Sequence, residues 1–79
     1  MKTKQIHLTF SEGTSNKEYN AWIEEVSKGK FAVNFSFGRI GKALKDGTKT
    51  PELVSLSEAE VIYQELVDSK LKKGYRESD

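Results

Sequence analysis

The sequence predicts an α+β domain, a twisted antiparallel sheet of about four strands with one C-terminal helix packed on its apolar face. Three observations carry that prediction. Apolar residues alternate with polar ones in successive segments between residues 5 and 38, as half-buried strands require. Ser27-Lys28-Gly29-Lys30 reads as a hairpin turn, with Gly29 supplying a positive φ. Only the stretch after Ser57 shows the three-to-four-residue spacing of an amphipathic helix.

The first strand covers residues 5–10 and turns Ile6, Leu8 and Phe10 to one side. Ser11 to Asn16 is dense in turn-forming residues and reads as a loop. The second strand, 17–26, sets Tyr19, Ala21 and Ile23 against Asn20, Trp22, Glu24 and Val26. The third is the clearest: Phe31, Val33, Phe35 and Phe37 alternate with Ala32, Asn34, Ser36 and Gly38. A basic loop follows to Thr50, with a turn signal at Asp46-Gly47. Pro51 suits a strand start or edge, and 52–56 is read as a short fourth strand. Ser57 and Glu60 match a capping box at the helix start. Ala59, Ile62, Tyr63, Leu66, Val67 and Leu71 make the apolar stripe. Lys70, Lys72 and Lys73 suit the negative end of the helix, which Gly74 terminates.

Seventy-nine residues enclose one hydrophobic core, so residues 1–79 are read as a single domain with its core over about 5–76. No repeat or low-complexity segment is present. With no cysteine, disulfides and thiolate metal sites are excluded. No apolar run exceeds three residues, which excludes an apolar membrane-spanning helix. The amino terminus lacks the apolar stretch of a signal peptide, and a cytoplasmic location is the default expectation. The charge is nearly balanced overall but segregated along the chain. Lys28, Lys30, Arg39, Lys42, Lys45 and Lys49 face only Asp46 between residues 28 and 49, whereas residues 50–69 carry five carboxylates and no base. Such polarity is able to steer an anionic partner, although on charge alone solvated faces that happen to segregate are the better reading.

Catalytic chemistry finds little to work with. His7 is the only histidine, so no imidazole or thiolate partner exists for a transition-metal site. The carboxylates Glu58, Glu60, Glu65 and Asp68 form one polar helix face. No nucleotide-loop, metalloprotease or hydrolase motif appears. Gly38-Arg39-Ile40-Gly41 follows a hairpin strand and opens no helix, unlike a phosphate-cradling loop. Neither an enzyme, nor a cofactor, nor a small-molecule substrate is expected.

The remaining constellation is Phe37-Gly38-Arg39-Ile40-Gly41, an aromatic beside an arginine held between glycines. A guanidinium grips phosphate bidentately, and an exposed aromatic stacks on a base. Lys42, Lys45 and Lys49 would extend a phosphate track within one loop. Phe37 also continues the apolar face of Phe31, Val33 and Phe35, so the sequence leaves its burial open. Lys72 and Lys73 are read as helix-end cations.

At these residues the chain resembles the WGR domain family. Ser15-Asn16-Lys17-Glu18-Tyr19 is similar to that family's lead into its second strand. Phe31 to Gly41 is similar to its central strand and naming motif, and Lys72-Lys73-Gly74-Tyr75 to the sequence at its end. WGR domains occur in DNA-dependent poly(ADP-ribose) polymerases, where they help recognise broken DNA. They also occur in bacterial proteins grouped as molybdate metabolism regulators, and as free-standing chains. The resemblance implies a twisted antiparallel sheet with one helix, and contact of a nucleic-acid end by Phe37 and Arg39. Phe37 stands where the family's naming motif has Trp, which shrinks the stacking surface and removes the indole N–H.

The expected function is a non-catalytic, monomeric nucleic-acid-binding module. It engages DNA ends or nicks through Phe37, Gly38, Arg39, Lys42, Lys45 and Lys49. The alternative is a protein-interaction module whose partner is a separate chain, anchored by Trp22 on the face opposite Tyr19, Ala21 and Ile23.

Overall fold

The computed structural model describes residues 2–78. Five strands and one helix follow in the order β1 (Lys2–Glu12), β2 (Ser15–Ser27), β3 (Lys30–Arg39), β4 (Lys45–Thr48), α1 (Leu56–Lys72) and β5 (Arg76–Glu77). All strands are antiparallel in one sheet, with spatial order β4-β3-β2-β1-β5. The first four form a meander, and α1 then crosses the sheet face to deliver β5 to the opposite edge. The α+β prediction holds, with a fifth strand that the sequence reading lacked.

The register explains which side chains meet the helix. Ile6 pairs with Ala21 and Ala21 with Phe35, while Leu8 pairs with Tyr19 and Tyr19 with Phe37. Directly paired residues point to the same side, so the alternating sets of three strands merge into one apolar face. Against it α1 buries Ala59, Tyr63, Leu66 and Val67, completing a core with Leu8, Tyr19, Ala21, Ile23, Phe31 and Val33. The opposite face is polar. There Asn20 accepts from His7 Nδ1 at 2.5 Å, taking the protonated nitrogen as donor, and donates to Ser36 Oγ at 3.2 Å.

Several boundaries differ from the sequence reading. The loop assigned to 11–16 is a tight hairpin turn at Gly13-Thr14, because pairing continues to Glu12 and Ser15. The fourth strand is 45–48, not 52–56. Residues 52–56 contribute only one bridge, Val54 to Phe31, and Pro51 sits in a bend. Thr48 and Thr50 dock the β4 end onto β3. Val33 N–H donates to Thr50 Oγ1 at 3.0 Å, and Thr48 Oγ1 donates to the Val33 carbonyl at 3.1 Å. Asp46-Gly47 is therefore strand rather than turn. Gly47 lies directly across from Phe35, whose ring fills the space that a Cβ would take.

The helix starts two residues early. Its N-cap is Ser55, whose Oγ accepts from Glu58 N–H at 3.3 Å. Ser55-Leu56-Ser57-Glu58 has the same capping pattern as Ser57 to Glu60, and the Val54–Phe31 bridge fixes the chain immediately before Ser55. At the other end Tyr75 N–H donates to the Lys70 carbonyl and Gly74 N–H to that of Leu71, both at 3.1 Å. That pair is a Schellman closure, and Gly74 takes φ 105°. Leu71 leaves the expected apolar stripe and is exposed.

Candidate nucleic-acid interface

A helix of 17 residues covers about 25 Å, whereas the ten residues of β3 extend about 33 Å. The sheet therefore outruns its cover. Beyond the helix end lies a row made by Phe10, Lys17 and Arg39, which are successive cross-strand partners on the helix side of the sheet. The next row in carries Leu8, Tyr19, Phe37 and Lys45.

Phe37 is 39% exposed, which answers the question the sequence left open. It belongs to the apolar face, but the last turn of α1 lies by Tyr19, its partner on β2, and leads on to β5 beside β1, away from β3. Its ring centroid is 6.1 Å from Tyr19 and 6.0 Å from Phe35, and Tyr19 and Phe35 stack at 5.5 Å. Tyr75 stands edge-on to Tyr19 at 6.1 Å and meets Phe10 at 5.5 Å. Phe37 is thus the exposed rim of a five-ring aromatic cluster, held from behind by Tyr19, which is 4% exposed.

Arg39 is the last residue of β3 and is exposed. Its carbonyl accepts from Lys42 N–H at 3.0 Å, and Gly41 has φ 86°, giving a turn with its positive φ at the third residue. Ile40 N–H donates to the Asn16 carbonyl at 3.0 Å, tying the turn to the neighbouring hairpin. Gly38 serves another purpose than turning the chain. It is paired within the strand, and a Cβ there would meet Leu44 Cδ2 at 3.1 Å and the Ala43 carbonyl at 3.2 Å. Its lack of a side chain lets the 41–44 segment close over β3.

The three lysines assigned to one loop take three separate positions. Lys42 lines a shallow depression with Thr14, Asn16, Arg39 and Ile40. Lys45 lies on β4 directly across from Phe37. Lys49 reaches back toward the helix, its Nζ 5.6 Å from the Phe35 ring centroid. Trp22, the anchor of the alternative reading, is half-buried on the opposite face; its indole N–H donates to Glu24 and Lys2 Nζ lies 4.6 Å from its ring.

Sequence reasoning passed over the lysines on the other side of the cluster. Lys70 Nζ lies 4.6 Å from the Tyr19 ring centroid and Lys17 Nζ 5.8 Å from that of Phe10. Burial, and then the charges of Lys73 and Lys49, hold the Lys70 amine below its ordinary pKa. Burial, and then Tyr75, push the Tyr19 phenol up to about 12. The signal for Lys17 was its position two residues before Tyr19, and for Lys70 its spacing four residues after Leu66. Among the described residues the one basic side chain within 4 Å of a carboxylate is His7, 3.9 Å from Glu18 on the polar face.

Chemically, this corner offers a rigid aromatic edge and cations that have no carboxylate partner among the described residues. Fold and corner together define a small antiparallel module with a basic, aromatic contact surface. The WGR domain family model matches residues 4–79, and the chain belongs to that family. WGR domains are small nucleic-acid-binding modules and not catalytic domains. No curated protein and no solved structure matches the chain. Among the described residues no helix is long and apolar enough to cross a membrane, and no group of three or more potential metal-ligating side chains occurs.

Proposed function

We propose that this chain is a non-catalytic nucleic-acid-binding module that engages DNA ends or nicks as a monomer, without a cofactor. The observation that carries the reading is the exposed Phe37 ring standing between Lys45 on one strand and the Arg39–Lys17 pair at the sheet end. Bases inside a duplex are stacked on both faces, whereas an end or a nick leaves one base face open to an aromatic edge. Arg39 would hold the adjoining phosphate bidentately, with Lys42, Lys45 and Lys49 on neighbouring phosphates. None of these contacts reads a base edge, so little sequence preference is expected.

The test is fluorescence anisotropy with labelled blunt, nicked and single-stranded DNA at low and moderate salt, with Arg39→Ala alongside. Four phosphate contacts give a log–log salt slope of about −3 to −4 on duplex DNA. Preference for an end or nick, lost in Arg39→Ala, supports the reading. Absence of binding at low salt, or binding indifferent to both salt and Arg39, overturns it.

A further inference from the structure

The aromatic cluster has a second basic flank at the C-terminal end of α1. A depression of about 270 Å³ is lined by Phe10, Lys17, Lys70, Lys73 and Tyr75, three amines and two rings with no carboxylate among them. Its volume is several times that of a water molecule, about 30 Å³ in the liquid, so it has room for a phosphate group. The Schellman closure at Gly74 orients this wall, because it turns Tyr75 back onto Phe10.

The charges here are arranged against the stability of the free protein. Lys17 and Arg39 are directly opposed across β2 and β3, and like charges so placed repel. Lys70 is crowded by Lys73 and Lys49, which helps to lower its pKa. A bound anion would relieve both repulsions. Lys17 belongs to both groups of cations, so the two flanks are continuous. From β4 to β1 the corner crosses three strand spacings, about 14 Å, enough for more than one phosphate of a single strand.

We propose that Lys17, Lys70 and Lys73, set around the Phe10–Tyr75 ring pair, form a second phosphate site that takes a single-stranded extension of the bound nucleic acid. This rests on the reading that Phe37 and Arg39 engage the nucleic-acid end. The strand then runs from the Arg39 turn, past Lys17, to the helix end. A recessed duplex with a short single-stranded overhang would occupy both sites, and a blunt duplex only the first.

The experiment compares blunt and overhang DNA across a salt series in the unaltered protein, in K70Q/K73Q, in Lys73→Glu and in Arg39→Ala. Lys73 is exposed, so Lys73→Glu reverses one charge of the site while Lys70 itself is kept. The expected result is a loss of about tenfold or more for overhang DNA in K70Q/K73Q, with a salt slope reduced by about one to two for the two cations removed. Blunt DNA is expected to bind nearly as before, and Arg39→Ala to lose both. Equal overhang binding by the lysine variants and the unaltered protein overturns the second site and leaves the first reading standing.

If the unaltered protein binds no DNA, the first reading fails and the strand path fails with it. Titration with inorganic tripolyphosphate, followed by NMR shifts of Phe10 and Tyr75, then separates the cases. Shifts that vanish in K70Q/K73Q would replace the strand proposal by a site for free polyanions. Absence of shifts would remove the anion site altogether.

Discussion

Phe37 and Phe35 lie two residues apart on one strand face, yet they face different surroundings. Phe35 is half-buried over Gly47, while Phe37 is 39% exposed at the rim. Substitutions are expected to separate them. Phe37→Ala leaves the deeper core intact and weakens end binding by about 1–3 kcal/mol, the range of one stacked base, as anisotropy would measure. Gly47→Val puts a branched side chain into the Phe35 ring and is expected to destabilise by about 1–3 kcal/mol, read by denaturant unfolding. A result in which Gly47→Val is neutral would mean that β4 does not pack under Phe35. Period-two reading identified both phenylalanines but could not rank their exposure, because that depends on where a helix far along the chain stops.

At the scale of elements, the two ends of α1 differ in how far they were legible. Gly74 after a lysine-rich last turn marks the terminus directly, and the left-handed backbone and Schellman bonds follow from it. The start was assigned to Ser57, two residues late, although Ser55 heads the same capping pattern. A long-range contact decides: Val54 is bonded to Phe31 in both directions, at 2.8 and 2.9 Å, so the helix begins as soon as the chain leaves that bridge. Ser55→Ala is therefore expected to destabilise by about 1 kcal/mol, and Ser57→Ala by much less, in thermal or chemical unfolding. The reverse order would place the cap at Ser57. Gly74→Ala is expected to cost at least about 1 kcal/mol from backbone strain, with added pressure on the Phe10 ring 3.0 Å from the new Cβ. β4 and β5 escaped detection for another reason. Both are edge strands of four and two residues, and neither carries an alternating apolar pattern.

For the whole molecule, charge and titration link stability to binding. Salt screens the crowding of Lys49, Lys70 and Lys73, so added salt is expected to raise the melting temperature slightly while it weakens nucleic-acid binding. A calorimetric scan beside a binding isotherm checks those opposite signs. Alkaline pH gives a second test. The folded Tyr19 phenol titrates near 12 against an ordinary 10.0, so its contribution is complete below pH 10 and is lost as the pH climbs toward 12. Tyr63 is raised by burial and Glu77 and acts in the same direction. Lys70 acts oppositely. Its lowered folded pKa lets the unfolded chain hold the extra proton, so stability from this group rises up to about pH 10.5. Stability is expected to rise weakly toward pH 10 and then to decline, and Lys70→Gln to lack the rise. Chemical denaturation across that range reads both limbs.

Local pattern alone determined that this chain has an α+β fold, which residues face its core along the first three strands, and that Phe37 and Arg39 are its leading contact candidates. Alternation and helical spacing are properties of neighbouring residues and survive without knowledge of the fold. Tertiary structure decided what those residues present to a partner. The helix runs toward the β1 edge, which leaves Phe37 on β3 exposed and brings Lys70 and Lys73 onto the same aromatic surface as Lys17. Residues 17 and 70 are distant along the chain, and only the register of β2 and the length of α1 together set them around one cluster.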